Sequence, residues 1–148
     1  MKSLTQWLNE KQDLALLLVR IGVGLMFIFV HGGPKVFGGV AAWTKLGSMI
    51  GVLGISFAPA ALGFIAGAFE LLGGIMILLG FGTRLGGAMI FSTLLIASPT
   101  MYLVTKGFFG AAAAIEGGLY SLLFIFFGAG KYSLDHMFFE KNLSRRSY

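Results

Sequence analysis

Residues 60–80 read AALGFIAGAFELLGGIMILLG, and Glu70 is the only charged residue among them. An α-helix rises about 1.5 Å per residue, so this stretch is long enough to cross the hydrocarbon core of a membrane, which is about 30 Å thick. The stretch therefore predicts a transmembrane helix, and it decides the class of fold to which the chain belongs.

The composition of the whole chain points to the same class. Of the 148 residues, 57% are hydrophobic and 11% are charged, and the mean hydropathy is +0.88. Soluble domains carry about 25% charged residues, so a chain this apolar cannot cover a globular surface with polar groups. We predict an all-α membrane protein whose single domain, residues 1–148, is a bundle of four transmembrane helices. The predicted spans are residues 14–31, 60–80, 85–104 and 111–128.

The connection between the first two spans begins with the stretch FIFVHGGPKVFGG at residues 27–39. Its Gly-Gly-Pro sequence predicts that the first helix breaks there, at the outer membrane face. Apolar side chains then alternate with Gly, Ser, Thr and Lys, which predicts an amphipathic helix over residues 40–52. We expect that helix to lie on or dip into the membrane interface, and a short re-entrant element is the alternative. Residues 129–148 form a polar, basic tail.

The basic residues predict the orientation of the bundle. Four spans place both termini on one side, and that side collects seven basic residues, whereas the other side collects three. They are Lys2, Lys11, Arg84, Lys131, Lys141, Arg145 and Arg146 against Lys35, Lys45 and Lys106. This excess favours cytoplasmic termini. Because the net charge of +5 is spread over the ends of apolar runs, it does not indicate a nucleic-acid partner.

The first apolar run resembles a signal peptide in position only. Arg20 interrupts it, and no clean cleavage site of small residues follows it. We therefore interpret it as a span that is retained in the protein.

The chain contains no cysteine and only two histidines, His31 and His136. This composition excludes disulfides, thiol catalysis and metal or iron–sulfur centres held by cysteine, and no clustered metal site is visible. There is no intrinsic catalytic or redox motif. Any redox role would need a bound cofactor or a partner protein.

Charges within the spans are the main indication of function. An unpaired charge at the centre of a bilayer costs at least ~2.5–3.5 kcal/mol, so Arg20, Glu70 and Glu116 should face the bundle interior and find partners. Counted from the outer ends at about 1.5 Å per residue, Glu70 lies ~15 Å deep and Arg20 ~20 Å deep, which predicts an ion pair between them. Glu116, only ~6 Å deep by the same count, is predicted to contact His31 or Lys35.

Arg20 and His31 are eleven residues apart, close to three helical turns, so they share one face of the first span. The sequence thus permits a buried polar column, which is a candidate ligand-binding site. Its members are Arg20, His31, Lys35, Glu70, Glu116 and Tyr120. The alternative is that the same charges only set helix register and orientation.

Glycine is abundant, with 23 residues, and small residues occur in every predicted span. Gly63 and Gly67, four residues apart, permit close contact between helices, as do Gly73 and Gly74 in the same span. We predict that these four glycines serve helix packing.

The ordered set of motifs resembles the DoxX family over about residues 13–136. The motifs are Arg20-x-x-x-Gly24, His31-Gly32-x-Pro34-Lys35, Glu70-x-x-Gly73-Gly74, Gly82-Thr83-Arg84, Glu116 and Lys131-Tyr132-Ser133-Leu134-Asp135. The resemblance implies a small, four-span protein of the bacterial inner membrane. Some members are linked to membrane oxidoreductase systems, among them a subunit of an archaeal thiosulfate:quinone oxidoreductase and a member that assembles with thiol- and superoxide-handling proteins.

Three functional hypotheses follow from the residues and the resemblance. The first is an accessory subunit of a membrane oxidoreductase system that contacts quinone or lipid and has redox proteins as partners. The second is a small proton-linked transporter or permease that works through the polar column, as a homo-oligomer. The third is a structural or assembly protein whose charges only pair its helices.

Overall fold

The computed structural model of the chain describes Trp7 and residues 11–140, without the side chains of residues 139 and 140. The described part contains helices and no strand, and four of the helices are long and apolar enough to cross a membrane. These are α1 (Gln12–Phe37), α3 (Pro59–Leu79), α4 (Thr83–Thr105) and α5 (Phe108–Phe127), and the shorter α2 (Gly39–Ser48) lies between α1 and α3. The prediction of an all-α, four-span membrane protein is confirmed. Residues 141–148 of the predicted tail lie outside the described residues.

Short connections make the successive long helices antiparallel neighbours. Residues 80–82 join α3 to α4, and residues 106–107 join α4 to α5. One end of the bundle, here called the tail end, holds the start of α1 and residues 128–135. The other end, here called the loop end, holds α2 and the 3₁₀ turn Met49–Leu53 that follows it. A small buried cluster lies between the helices, and its members are Phe27, Ile77, Ile90, Leu94 and Phe124.

The first helix does not break at the Gly-Gly-Pro sequence, so that prediction was wrong. Its segment Phe27–Gly32 is a π-helical turn, in which the N–H of Gly33 donates to the carbonyl of Ile28, five residues earlier. The α-helix then resumes over Gly33–Phe37. A proline removes one α-helical hydrogen bond and crowds the carbonyl four residues before it. A wider turn just before Pro34 absorbs that disruption without ending the helix.

Lys35 lies deeper than the sequence predicts. It was expected beyond the outer end of the first span, but a Cβ added to Gly67 would lie 2.8 Å from the Cβ of Lys35. Gly67 is eight residues after Pro59, so Lys35 lies about 12 Å along α3 from the loop end. The reason is that α1 ends before the loop end, and α2 continues onward in the same direction, with Trp43 beside Gly63 and Gly47 beside Pro59.

The helix predicted between the first two spans is present as α2. It runs beside the first turns of α3, where glycines allow the two backbones to touch. A Cβ on Gly47 would lie 1.9 Å from the carbonyl oxygen of Pro59, and a Cβ on Gly63 would lie 2.0 Å from that of Trp43. Only hydrogen fits at either position, so these glycines hold α2 against the outer quarter of α3.

The segment after α5 folds back over the tail end. The N–H of Asp135 donates to the carbonyl of Gly80 at 2.8 Å. The carboxylate of Asp135 accepts hydrogen bonds from the N–H groups of Gly82, at 2.7 Å, and Thr83, at 3.0 Å. These are unpaired donors at the start of α4, and a carboxylate is a favourable cap there. Asp135 thus joins the tail segment to the α3–α4 turn.

Candidate functional site

An ion pair between α1 and α3 occupies the middle of the bundle. The Nζ of Lys35 lies 2.6 Å from Oε1 and 2.5 Å from Oε2 of Glu70. The Glu70 side chain is completely buried, whereas that of Lys35 is 28% exposed. Gly67 precedes Glu70 by nearly one turn, and its missing side chain leaves room for the stem of Lys35. The π-helical turn and this glycine together bring the two charges into contact.

A cavity of about 200 Å³ adjoins this ion pair, between α2, α3 and α4. Most of its lining is aliphatic, and the polar groups are the ion pair and three hydroxyl-bearing residues of α4. The lining includes Lys35, Ile65, Phe69, Glu70, Ser92 and Ile96, and Thr93 and Thr100 supply the other two hydroxyls. The cavity is therefore an apolar chamber with a charged group at one side.

The cavity opens on the outer surface between α3 and α4. Ile65, Phe69 and Ile96 line it and are also exposed, at 47%, 36% and 44%. Because this surface faces the hydrocarbon of a bilayer, the opening gives membrane-soluble molecules a lateral entrance.

The position of the ion pair is costly for the fold. A buried pair is seldom more stabilising than well-packed apolar residues, because both ions lose their hydration. Ionisable residues at this depth in a membrane protein commonly mark a functional site. A charged pair at the wall of an apolar cavity is the arrangement expected of a site that orients a polar headgroup while its apolar remainder stays in lipid.

Arg20 does not pair with Glu70, contrary to the prediction from depth. Its guanidinium, 1% exposed, donates to four backbone carbonyls at the tail end. They belong to Ile77 (2.9 Å), Leu78 (3.2 Å), Ala129 (2.8 Å) and Tyr132 (2.8 Å). Gly80 makes room for it, since a Cβ there would lie 2.2 Å from Nη2 of Arg20. Arg20 therefore ties the segment after α5 to the end of α3.

The remaining members of the predicted column are dispersed. His31 is half-buried, and its ring centroid lies 5.2 Å from that of Phe27. Glu116 and Tyr120 are both exposed on the outer face of α5, and the predicted contact of Glu116 with His31 or Lys35 is absent from the described contacts. The reason is the orientation of α5 about its own axis, which turns Glu116 away from the bundle interior. Gly117, the next residue, faces the interior, and a Cβ there would lie 2.8 Å from Leu94.

The glycines predicted to serve packing, Gly63, Gly67, Gly73 and Gly74, are all buried. A Cβ on Gly73 would lie 2.7 Å from the carbonyl oxygen of Gly86 in α4, and one on Gly74 would lie 2.8 Å from the Cβ of Phe27 in α1. The face of α3 that bears these residues thus touches three other helices.

Sequence reasoning missed the hydroxyl groups of the cavity. Ser92, Thr93 and Thr100 lie on α4, and Thr93 and Thr100 are seven residues apart, which places them on one face of the helix. Polar residues at that spacing within an apolar span were the available indication. Among the residues that the structure describes, no group of three His, Asp or Glu side chains is placed to hold a metal ion.

Comparison with known proteins gives a family and two informative relatives. The DoxX family model matches residues 15–103. A protein of Bacillus subtilis (strain 168) named "Putative oxidoreductase CatD" is 31% identical over 96 residues, covering 65% of this chain and 66% of that protein, just under two thirds of its length. A Haemophilus influenzae (strain ATCC 51907 / DSM 11121 / KW20 / Rd) protein described as uncharacterized is 36% identical over 140 residues, covering 90% of this chain and 98% of that protein. No solved structure matches the chain.

Proposed function

The chain belongs to the DoxX family, and from this premise we propose that it binds a membrane-soluble quinone beside Lys35 and Glu70, as an accessory subunit of an oxidoreductase system in the bacterial inner membrane. The observation that carries the proposal is the ion pair at the wall of an apolar cavity that opens towards lipid. The name of the Bacillus subtilis relative, which describes an oxidoreductase, supports the redox context.

The chemistry of the cavity suits a quinone headgroup. A lysine ammonium has three N–H donors, and the contacts of Lys35 with the two oxygens of Glu70 leave one for a ligand. A quinone carbonyl is an acceptor for that donor, and its ring and isoprenoid chain match the aliphatic lining. The proposed role of this subunit is to hold and orient the quinone, while a partner protein supplies the electrons.

The orientation belongs to the same proposal. With both termini in the cytoplasm, the loop end and α2 face outwards, as the distribution of basic residues favours. The cavity then opens in the outer half of the bilayer, since its wall includes residues of α2 and the 3₁₀ turn.

Trp43 provides a spectroscopic test. Its Nε1 donates to the backbone carbonyl of Lys35 at 2.8 Å, so its indole lies close to the residue that forms the ion pair with Glu70. Trp7 is the other tryptophan of the chain, and a Trp7→Phe variant leaves Trp43 as a single fluorophore. In nanodiscs, we expect a short-chain ubiquinone or menaquinone analogue to quench the fluorescence of Trp43 in a saturable manner. The quinol form of the analogue, or additional phospholipid, should quench this fluorescence less.

Variants of the ion pair separate binding from structure. In the double variant Lys35→Met/Glu70→Leu, we expect quinone affinity to fall by about tenfold or more, because the charge-assisted hydrogen bond is lost. Leu95→Ala, at an exposed position of α4 outside the cavity lining, is the matched control and should bind normally. Equal affinity in the double variant and the control would reject the site. Displacement of quinone by phospholipid at equal concentration would indicate a lipid site instead.

A further inference from the structure

Glu116 is an exposed carboxyl group in the middle of a membrane span. It lies eight residues after Phe108, so it is about 12 Å along a helix of 20 residues. Its side chain has no hydrogen bond or ion pair within the described chain, and it does not face the bundle interior. Ionisable groups at this depth almost always face protein or water rather than lipid. No described residue covers Glu116, so its position calls for a partner beyond the part of the chain that the structure describes.

Glu116 belongs to a regular line of exposed residues on α5, here called the α5 stripe. It consists of Phe109, Ala113, Glu116, Tyr120, Leu123 and Phe127. The steps between them are four, three, four, three and four residues, a mean period of 3.6, so the six side chains lie along one face of the helix, against which a second helix can pack. The α5 stripe extends over the whole helix. It lies away from the α4 side of α5, where Gly87 contacts the backbone of Ser121.

We propose that the α5 stripe is the interface with a second copy of this chain, in which the carboxyl group of Glu116 is hydrogen-bonded to the hydroxyl of Tyr120 of the other copy. Two copies inserted in one membrane share an orientation, so their α5 helices run parallel about a twofold axis. A parallel seam places residues of equal number side by side and the next layer one turn away. Glu116 of each copy then lies directly above the Tyr120 layer of the other.

The direction of the tyrosine side chain favours this pairing. Long side chains on a helix lean towards its N-terminus, so the Tyr120 hydroxyl reaches back towards the layer of Glu116. The two copies supply two hydroxyl donors for two carboxyl groups, which makes the surface complementary to itself. Ala113, one layer closer to the loop end, is small enough for the helices to approach closely.

The choice of a second copy over an unrelated subunit rests on this self-complementarity. A different subunit would have to present its own donor at the depth of Glu116, whereas Tyr120 already provides one on the same face. The proposed quinone cavity lies between α2, α3 and α4, whereas the α5 stripe lies on α5. The proposed interface and the proposed function can therefore be tested independently of each other.

Cysteine cross-linking provides a clean test because the chain has no native cysteine. A disulfide forms only when the two Cβ atoms approach to about 3.5–4.5 Å, so it reports direct contact. We expect Ala113→Cys and Leu123→Cys to give disulfide-linked dimers of the full chain in native membranes. Leu119→Cys, exposed at 58% on α5 but off the stripe, and Leu95→Cys, exposed at 62% on α4, are the matched controls. Dimers that form equally at the control positions, or only there, would overturn the proposal.

The predicted hydrogen bond is tested by the association constant in lipid at increasing dilution. Interhelical hydrogen bonds in membranes are worth enough to change that constant about 3- to 10-fold, so Glu116→Ala and Tyr120→Phe should each lower it by that factor. Glu116→Gln keeps a donor and an acceptor of nearly the same shape and should retain most of the affinity. The double variant Glu116→Ala/Tyr120→Phe should associate no more weakly than Glu116→Ala alone, because both changes remove one interaction. If the double variant instead lowered the association constant by the product of the two single-variant factors, the two groups would not be hydrogen-bonded to each other.

Discussion

The ammonium group of Lys35 contacts both oxygens of Glu70, at 2.6 and 2.5 Å, and joins the end of α1 to the middle of α3. Glu70 is fully buried, while Lys35 keeps part of its side chain open to the neighbouring cavity. The carboxylate thus serves as an internal counter-ion, and the lysine is the member of the pair that a ligand can reach.

Loss of one partner should harm the fold more than loss of both. Removing one member of a buried ion pair typically costs about 3–5 kcal/mol, whereas replacing both by apolar residues is often nearly neutral. We therefore expect Lys35→Met to be strongly destabilised and Lys35→Met/Glu70→Leu to recover most of the stability. The free energy of unfolding in mixed micelles measures both. A double variant as unstable as the single one would show that the pair is essential to the fold.

Replacement of Arg20 should release the segment after α5. Lysine cannot reproduce a planar group that donates to four carbonyls on two segments, and each charge-assisted bond contributes about 1.5–3 kcal/mol. We expect Arg20→Lys to raise hydrogen exchange at residues 129–135 and to lower global stability. Arg84→Lys is the matched control, since Arg84 is exposed and its hydrogen bonds to described residues go to two adjacent carbonyls, those of Ile125 and Phe126. Similar exchange in both variants would contradict a special role for Arg20.

The cap supplied by Asp135 should matter locally. Loss of a capping carboxylate commonly costs about 0.5–2 kcal/mol, so Asp135→Ala should destabilise the first turn of α4 by that amount. Hydrogen exchange at the amides of Gly82 and Thr83, which donate to this carboxylate, should rise first. Asp135→Asn keeps one acceptor oxygen and should have an intermediate effect. Unchanged exchange at both amides in Asp135→Ala would show that water replaces the cap.

Two glycines of α1 should differ sharply in their tolerance of a methyl group. A Cβ on Gly32 would lie 2.3 Å from the backbone nitrogen of Leu71, whereas a Cβ on Gly22 would have nothing within 4 Å. Overpacking costs about 1–3 kcal/mol or more when backbone atoms must move, so Gly32→Ala should be clearly destabilised. Gly22→Ala should be neutral or stabilised by up to about 1 kcal/mol, because alanine favours the helix. Unfolding of both variants under one condition measures the contrast, and equal stabilities would rule out the close contact at Gly32.

Local properties of the sequence predicted the number of spans and their approximate bounds. Residues 60–80 form α3 as Pro59–Leu79, and the helix predicted over residues 40–52 is α2 with its 3₁₀ extension. Hydropathy and helix length depend only on residues that are neighbours in the sequence, so each stretch by itself contains the information needed to identify a span. The same reasoning correctly required a partner for Glu70, because the cost of an unpaired carboxylate in hydrocarbon does not depend on what that partner is.

The identity of the partners was not predictable in this way. Depths counted along straight spans assigned Arg20 to Glu70. The first helix instead continues through the π-helical turn at Phe27–Gly32 to Phe37, and α2 carries the chain onward to the loop end, so Arg20 lies farther from that end than the count assumed. Arg20 instead meets carbonyls at Ala129 and Tyr132, more than 100 residues away along the chain.

The sequence by itself determined that this is a four-span membrane protein of the DoxX family with charges that need partners. Only the tertiary structure decided that Lys35 meets Glu70, that Arg20 fastens the tail segment, and that Glu116 faces outwards. The physical reason is that hydrophobic burial in lipid specifies which residues enter the membrane but does not specify the rotation or vertical register of a helix. Those are set by close contacts such as Gly67 against Lys35 and Gly117 against Leu94, which exist only once the helices are packed.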